Sequence, residues 1–265
     1  MSLWYFNVKE PEATPNSVNL GGGFGGDASV LARQTASTVP RGTIISHCTV
    51  PSVVALTFDD GPYKYTGHVL DILDQHNAKA TFFVNGDNWI QGLDDESTPW
   101  PGLLRRMVSS GHQVGSHSWS HVDMTTADSS MRQQQMHDLE QSLSNVLGMY
   151  PAYFRPPYAT CEQQCLVELD QMGYHIVNFD VDTKDYLYNT PDTIQTSIDR
   201  FSQALDAGRE QDSFLVLSHD VQEETANVLV EFMLNKIEER GYKAVTVGEC
   251  LGDLPENWYQ APRSV

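Results

Sequence analysis

The sequence has 265 residues, of which 40% are hydrophobic and 10% aromatic, enough apolar material for a substantial core. Lys and Arg total 16 against 35 Asp and Glu, which gives a formal net charge of −19 and a pI of about 4.6. This charge repels nucleic-acid phosphates and anionic membrane surfaces, and no apolar run approaches the roughly 20 residues that cross a bilayer. We therefore expect neither nucleic acid nor membrane as a partner.

The first part of the chain, residues 1–40, differs from the rest. Its stretch NLGGGFGGDAS contains five glycines and no apolar periodicity, which is typical of a flexible segment. We expect residues 1–40 to form a flexible N-terminal extension and residues 41–265 to form one folded domain. A signal peptide, with a basic start and an apolar centre, is not visible in this chain.

The rest of the chain alternates between apolar stretches and amphipathic ones. Buried strands are predicted at residues 52–58, 80–85, 112–116, 152–155, 174–180, 213–218 and 242–247. Helices are predicted at residues 66–77, 101–111, 129–148, 191–208 and 225–241. Because near-continuous apolar strands separated by helices form parallel sheets, we predict an α/β fold, a distorted or incomplete (β/α) barrel with about seven parallel strands. An open, doubly wound sheet is the alternative.

Polar side chains follow five of the predicted strands. They are Asp59 and Asp60 after the first strand, His117 and His121 after the third, Arg155 at the end of the fourth, Asp182 and Asp185 after the fifth, and His219 after the sixth. Each has an ordinary structural explanation when taken alone, such as a turn, a surface histidine pair or a salt bridge. In a parallel barrel, however, all these strand ends open on one face, where active sites are built.

Two of these motifs suit metal chemistry. His117 and His121, four residues apart in HSWSH, would lie on one side of a helical turn and could share a metal ion. Asp59 and Asp60 are adjacent on a turn, so their carboxylates point in different directions and one can bind a metal while the other faces a water molecule.

The four cysteines are Cys48, Cys161, Cys165 and Cys250. They form no C-x-x-C pair, which disfavours a structural zinc site and leaves two disulfides or four free thiols. Because Cys48 and Cys250 lie near the two ends of the predicted domain and the other two are close in sequence, we predict the bridges Cys48–Cys250 and Cys161–Cys165. This pairing favours an oxidising compartment.

The motifs TFDDGP, HSWSH, RPPY, DTKDY and LSH, in this order, resemble those of the polysaccharide deacetylases, the NodB-like family of carbohydrate esterases. The resemblance covers roughly residues 48–255 and implies that residues 41–265 form a catalytic domain of this family. The closing segment GYKAVTVGECLGD, the NWY after it and the cysteine pair after RPPY are similar to the fungal chitin deacetylases.

The resemblance implies a division of work between the two aspartates. Asp60, His117 and His121 would hold the metal, and zinc, or another divalent transition metal such as cobalt, suits two imidazoles and one carboxylate. Asp59 would be the general base that takes a proton from the attacking water.

The resemblance also implies partners for the proton transfers. His219 would be the general acid that protonates the departing amine, and Asp185 would pair with it and keep it charged. Arg155 would orient Asp59 and keep it ionised.

The remaining implied residues shape the substrate pocket. The backbone N–H of Tyr158 would stabilise the oxyanion, and Leu217 and Tyr186 would wall the acetyl pocket. Tyr186 stands where the family more often has Trp. In the loop from Gly86 to Trp100, both Trp89 and Trp100 could stack on sugar rings, or they could pack against helices.

These features together predict a metal-dependent chitin deacetylase that hydrolyses the N-acetyl groups of N-acetylglucosamine units, giving chitosan and acetate. The alternatives are an acetylxylan esterase, a peptidoglycan N-acetylglucosamine deacetylase and, from another class, a glycan-binding barrel without turnover. Intact Asp59 and His219 argue against the last, because binding requires neither base nor acid. We expect a monomer that is secreted or associated with the cell wall and acts on chitin or chitin oligosaccharides.

Overall fold

The computed structural model describes residues 37–209 and 211–263. Most of the predicted extension, residues 1–40, lies outside this part, so its flexibility and its boundary stay predictions. Val39 is buried in the core, and the Pro40 carbonyl accepts a hydrogen bond from His175 Nδ1 at 3.0 Å. Within the described ranges, no helix combines the length and the apolar character that crossing a membrane requires.

The same residues form eleven strands. They are β1 (Ile44–Ile45), β2 (Val53–Asp59), β3 (Thr81–Val84), β4 (Gln113–Ser116), β5 (Tyr150–Pro151), β6 (Tyr153–Phe154), β7 (His175–Val177), β8 (Val181–Asp182), β9 (Phe214–His219), β10 (Lys243–Val245) and β11 (Tyr259–Gln260). Nine of them form one parallel sheet in the order β1-β7-β6-β4-β3-β2-β9-β8, with β10 also paired to β2. A second small sheet pairs β5 with β11 in antiparallel fashion. No ladder of hydrogen bonds joins β1 to β8 in the described chain, which confirms the predicted incomplete barrel.

Helices cover the outer face of the sheet. They are α1 (Thr66–Gln75), α2 (Trp100–Ser109), α3 (Ser129–Leu147), α4 (Gln163–Gln171), α5 (Gln195–Ala207), α6 (Val230–Glu239) and α7 (Val247–Cys250). A π-helical stretch, Thr225–Leu229, leads directly into α6. Helices α4 and α7 were not predicted from the sequence. The last predicted strand, residues 242–247, is shorter in the structure because Thr246 caps α7 with its hydroxyl.

The central strand β2 separates the outer core from the inside of the barrel. Its outward residues pack under the helices, and they are Val54, Leu56 and Phe58. Its inward residues Val53 and Ala55 join a second cluster with Phe83 and Leu215. Since side chains alternate along a strand, Thr57 and Asp59 also face the inside. The apolar run thus delivers a carboxylate to the mouth of the barrel.

The predicted strand at residues 174–180 is two strands. After β7 the chain crosses the open side of the barrel, where Asn178 N–H donates to the Ile45 carbonyl at 2.7 Å and Asp180 N–H donates to the Leu215 carbonyl at 3.0 Å. The chain then pairs with β9 as β8. An apolar run has the same pattern whether its strand continues or changes partner, so the sequence could not indicate the crossing.

Both predicted disulfides are present. Cys48–Cys250 links the segment before β2 to α7, and Cys161–Cys165 joins the turn before α4 to the helix itself. The described residues contain no free cysteine.

Candidate active site and metal centre

The carboxyl ends of the strands surround a cavity of about 400 Å³. It is lined by Asp59, Asp60, His117, His121, Arg155, Pro156, Tyr158, Ala159, Phe179, Tyr186, Leu217 and His219. Asp185 does not line the cavity but lies fully buried behind His219. The structure therefore brings together the residues that the sequence placed after separate strands.

Three of these residues form a candidate metal centre. One ligand atom from each of Asp60, His117 and His121 lies within 4.8 Å of the other two. Asp60 Oδ1 is 3.6 Å from His117 Nε2 and 3.4 Å from His121 Nε2. The same oxygen is buried and has no hydrogen-bond partner among the described residues. A buried, unpaired carboxylate oxygen is costly, and a cation would satisfy it.

The protonation of the two imidazoles also suits a cation. His117 Nδ1 lies 2.7 Å from the Arg155 carbonyl oxygen. A carbonyl only accepts hydrogen bonds, so Nδ1 carries the proton and Nε2 presents its lone pair towards Asp60. Burial, followed by the neighbouring His117, lowers the pKa of His121. These three side chains therefore fit a divalent cation.

The two histidines are close for a different reason from the one predicted. The segment HSWSH is a loop and not a helical turn, because Ser118 and His121 adopt left-handed backbone angles, with φ of 67° and 56°. The loop folds back so that the rings of His117 and His121 lie 5.0 Å apart. The two rings are thus adjacent, as the sequence predicted, but the predicted helical turn was wrong, and a shared metal ion stays a prediction.

Asp59 is held by a buried arginine. Arg155 Nη1 donates to Asp59 Oδ1 at 2.8 Å and to Thr57 Oγ1 at 2.5 Å, and Nη2 donates to the Asn178 carbonyl at 2.9 Å. The guanidinium lies over the Phe83 ring, 4.3 Å from its centroid. Burial lowers the pKa of Arg155 and the Asp59 charge opposes this shift. Because a guanidinium stays protonated in proteins, the pair is ionic.

On the other side of the cavity, His219 and Asp185 form a buried pair. Asp185 Oδ1 lies 2.7 Å from His219 Nδ1, while Oδ2 accepts the His219 backbone N–H and the Thr225 hydroxyl, each at 2.7 Å. Burial by itself would lower the pKa of His219, but the charge and hydrogen bond of Asp185, with Asp60 and Asp59, raise it to about 9. His219 is therefore an imidazolium at neutral pH.

The walls of the cavity come from the other predicted residues. Tyr186 places its ring edge-on to His219, with 5.3 Å between centroids, and its hydroxyl lies 3.3 Å from Asp182 Oδ2. Leu217 is a buried residue of β9. Tyr158 is 65% exposed at the mouth, and its backbone is left-handed with φ of 58°.

Sequence reasoning missed four residues around the site. Thr57 shares a face with Asp59 two positions later, which strand alternation could have shown. Phe179 is the last apolar residue of the predicted fifth strand, 174–180, and lines the cavity. Asn85, at the end of the predicted second strand, is fully buried and donates to the His117 and Ser118 carbonyls, at 2.6 and 2.8 Å.

The fourth, Asp220, follows His219 directly. It is buried, its Oδ2 accepts the Thr66 hydroxyl, and burial raises its pKa to about 7. Strand-end position, the criterion used for the other polar residues, would also have selected Asn85 and Asp220.

A family model described as polysaccharide deacetylase matches residues 46–177. A chitin deacetylase of Colletotrichum lindemuthianum is 46% identical over 89% of this chain and 92% of its own length. A chitin deacetylase of Pestalotiopsis sp is 43% identical over 86% of this chain and 74% of its own length.

Solved structures give the same picture. The structure of the Colletotrichum lindemuthianum chitin deacetylase matches with a TM-score of 0.82 and 46% identity, covering 85% of this chain and 99% of that one. The Bc1960 peptidoglycan N-acetylglucosamine deacetylase matches with a TM-score of 0.66 and 25% identity, covering 81% of this chain and 94% of the other.

Proposed function

This chain belongs to the polysaccharide deacetylases, a family of metal-dependent hydrolytic enzymes, and from that premise we propose that it is a chitin deacetylase. It would hydrolyse the N-acetyl groups of N-acetylglucosamine units in chitin or its oligomers, giving chitosan and acetate. The observation that carries the proposal is one cavity that combines an ion-paired carboxylate, an imidazolium and a three-residue ligand set. Two fungal relatives with the same named activity, 46% and 43% identical, support the choice of substrate.

The metal would be held by Asp60, His117 and His121. Zinc, or another divalent transition metal such as cobalt, suits two imidazole nitrogens and one carboxylate oxygen. When bound, such a cation supplies Lewis acidity, which polarises a carbonyl and makes water a better nucleophile at neutral pH.

Asp59 is the proposed general base. Arg155 bonds Asp59 Oδ1 and holds the carboxylate ionised, while Oδ2 faces the metal ligands, 3.8 Å from His117 Nε2. Oδ2 is thus placed to take the proton of the water that attacks the acetyl carbon. The ion pair also fixes the direction of the carboxylate, so the base does not have to be ordered during the reaction.

His219 is the proposed general acid. Because Asp185 engages Nδ1, the Nε2–H is the donor left for substrate. When the bond between the acetyl carbon and the nitrogen breaks, this proton goes to the nitrogen, which leaves as a neutral amine. The water oxygen stays on the acyl carbon, and the acetic acid that forms releases its remaining proton to solvent as acetate. Asp59 has gained one proton and His219 has lost one, so exchange of these protons with solvent restores the site and the hydrolysis balances.

The remaining site residues would bind the acetamide. The Tyr158 backbone N–H would donate to the oxyanion, and Leu217 and Tyr186 would enclose the acetyl methyl group. Tyr186 presents a hydroxyl held near Asp182, which a Trp at this position would lack.

The alternative substrates differ in how much their leaving groups depend on proton donation by His219. An alkoxide leaves an ester with less help than an amine anion leaves an amide, so a charged proton donor favours the amide over acetylxylan. A protein of Arthroderma benhamiae named as a probable peptidoglycan-N-acetylglucosamine deacetylase is 40% identical over 84% of this chain, so the choice of chitin over peptidoglycan is supported by the two chitin deacetylases at 46% and 43% identity. We also propose secretion or association with the cell wall, which the two disulfides support. The monomeric state stays a prediction.

The test is acetate release by the zinc-loaded protein from N-acetylglucosamine oligomers of increasing length, with acetylxylan and peptidoglycan alongside. We expect the chitin oligomers to have the highest kcat/KM. A chelator should abolish the activity, and zinc or cobalt should restore it. A preference for acetylxylan or peptidoglycan would contradict the proposed substrate, and full activity of a metal-free preparation would contradict the proposed metal.

A further inference from the structure

One tryptophan at the mouth of the barrel has a surface exposure that packing does not explain. Trp89 is 46% exposed, whereas Trp258 is 6% exposed and Trp100 packs partly buried against the outer core. From the sequence alone, Trp89 and Trp100 could each either stack on sugar rings or pack against helices. The structure distinguishes the two residues. Trp100 begins α2 and packs against the outer core, while Trp89 is open to solvent.

Trp89 lies on the same rim as the candidate metal centre. It follows β3 by five residues, and its ring centroid is 5.4 Å from that of Tyr63. Tyr63 is three residues after Asp60, so their Cα atoms are at most about 11 Å apart. The rings of Trp89 and Tyr63 therefore lie within a few sugar units of the cavity.

The loop that carries Trp89 is tied to the loop of the metal ligands. The backbone N–H groups of Gly86 and Asp87 donate to the Trp119 carbonyl at 2.9 and 2.8 Å. Trp119 lies between His117 and His121 in the sequence, and a Cβ built on Gly86 would approach its ring to 1.9 Å. A side chain at residue 86 would force these two loops apart.

Trp89 itself is held from both sides. The next residue, Ile90, is buried in the outer core, and the preceding Asn88 donates from Nδ2 to Asn85 Oδ1 at 3.1 Å. Lys64 covers the rings of Tyr63 and Tyr65, with Nζ 5.6 and 4.6 Å from their centroids. Trp89 is therefore the ring of this group that remains open to a ligand, on a loop that needs little further ordering.

We propose that Trp89, supported by Tyr63, is a stacking surface for a second sugar ring of the chitin chain whose acetamide lies in the cavity. The inference rests on the proposed function. A pyranose ring has an apolar face of C–H groups that packs on an indole ring, and N-acetylglucosamine is neutral, so the contact needs no charged partner. Binding energy at this remote ring would help to position the reacting acetamide.

The experiment compares the zinc-loaded wild type with Trp89→Ala, Trp89→Phe and a matched control, Leu254→Ala. Leu254 is also exposed, at 47%, but lies in the C-terminal segment away from the cavity lining. The readout is the ratio of kcat/KM for the N-acetylglucosamine tetramer to that for the monomer, which has no second ring. Trp89→Ala should lower this ratio about 5- to 10-fold, Trp89→Phe less, and Leu254→Ala not at all.

Binding supplies an independent measurement. Titrating the tetramer into the Asp59→Asn protein should quench tryptophan fluorescence, and adding Trp89→Phe should remove most of the quench. An unchanged ratio in Trp89→Ala, which means equal losses of kcat/KM on the monomer and the tetramer, would overturn the inference. Zinc content and melting temperature show whether a variant is folded and loaded.

The two proposals fail differently. If the wild type does not release acetate from chitin oligomers, the proposed function fails. If the wild type does so and prefers long oligomers, but Trp89→Ala keeps that preference, only the stacking surface is wrong.

Discussion

The two sides of the cavity are built differently. On the metal side, Asp60 Oδ1 is buried without a hydrogen-bond partner in the described residues, and the backbone is left-handed at Asp60, Ser118 and His121. On the acid side, both oxygens of Asp185 are satisfied by His219 and Thr225. The Asp185–His219 pair is thus satisfied without any added group, whereas a bound cation would satisfy Asp60 Oδ1.

This difference shows where the free energy of the site is stored. Left-handed non-glycine residues each cost of order 1–3 kcal/mol and persist only where the surroundings fix them. On the metal side the left-handed residues bring the three ligand atoms close together, and the surrounding contacts offset the energetic cost of these backbone angles. On the acid side a buried carboxylate keeps a proton on an imidazole. His219 ends the regular strand β9, and one left-handed residue, Lys184, precedes Asp185.

The largest expected effects, on metal affinity and on kcat, come from replacing Asp60 or Asp59 by asparagine in separate variants. Asp60→Asn should lose metal affinity by more than the roughly 10- to 100-fold typical of losing an outer-sphere partner, and activity with it. Asp59→Asn, which is equally isosteric, should keep the metal and lower kcat by about 10²- to 10⁴-fold. Metal content by mass spectrometry and acetate release measure the two effects.

The neighbouring positions make each variant the control for the other. If Asp59→Asn lost the metal as well, the two sides would not be separable as described. If Asp60→Asn bound zinc normally, the ligand set would be wrong.

The second prediction tests the acid side through pH. The pKa of His219 is raised to about 9, so its proton is present at neutral pH and is lost as pH rises through that value. A bound cation opposes the contributions of Asp60 and Asp59, which leaves Asp185 as the main source of the shift. Asp185→Asn should therefore move the alkaline limb of kcat/KM down by about 1 to 3 pH units, which corresponds to a loss of activity at pH 8 of about 2-fold for a shift of one unit and about 90-fold for a shift of three.

Thr225→Val is the matched control for this variant. It removes the hydroxyl that donates to Asp185 Oδ2 but keeps the carboxylate, so the limb should move much less. Metal content should be normal in both variants. An alkaline limb that stays in place in metal-loaded Asp185→Asn would show that another group donates the proton.

The sequence predicted most of the site because strand alternation and strand ends are local features. The pattern of β2 directs Asp59 inwards, and parallel strands bring Arg155 and His219 to the same rim. The predictions failed where backbone handedness or a change of partner strand decided the structure. The loop at His117 depends on left-handed residues, and the crossing after β7 depends on a change of partner strand. Neither feature produces a periodic pattern in the sequence.

Hydrogen bonds between residues far apart in the chain could not be predicted from the sequence either, and those of Asn85 are the clearest example. Its Nδ2 donates to the His117 and Ser118 carbonyls, and its backbone N–H donates to the Gly61 carbonyl at 3.0 Å. One buried residue therefore connects the two loops that carry the metal ligands. A buried Asn at the end of an apolar strand could equally be a simple strand terminator, so its partners had to be seen.

The smallest expected effect tests this connection. Asn85→Ala leaves two carbonyls of the metal-ligand loop without their donor, so the ligand atoms should be less well positioned and zinc affinity should fall about 10-fold. Asn257→Ala is the control, because it also removes a side-chain amide donor, Nδ2 to Asp253 Oδ1 at 2.9 Å, but in the C-terminal segment away from the metal loops. Competition with a chelating dye gives the affinities, and the melting temperatures of the metal-free proteins report general destabilisation.

If both variants lower the melting temperature equally and neither changes zinc affinity, Asn85 is only part of the scaffold. If zinc affinity falls in Asn85→Ala alone, the hydrogen bonds of Asn85 fix the metal side in the way that the charge of Asp185 fixes the acid side.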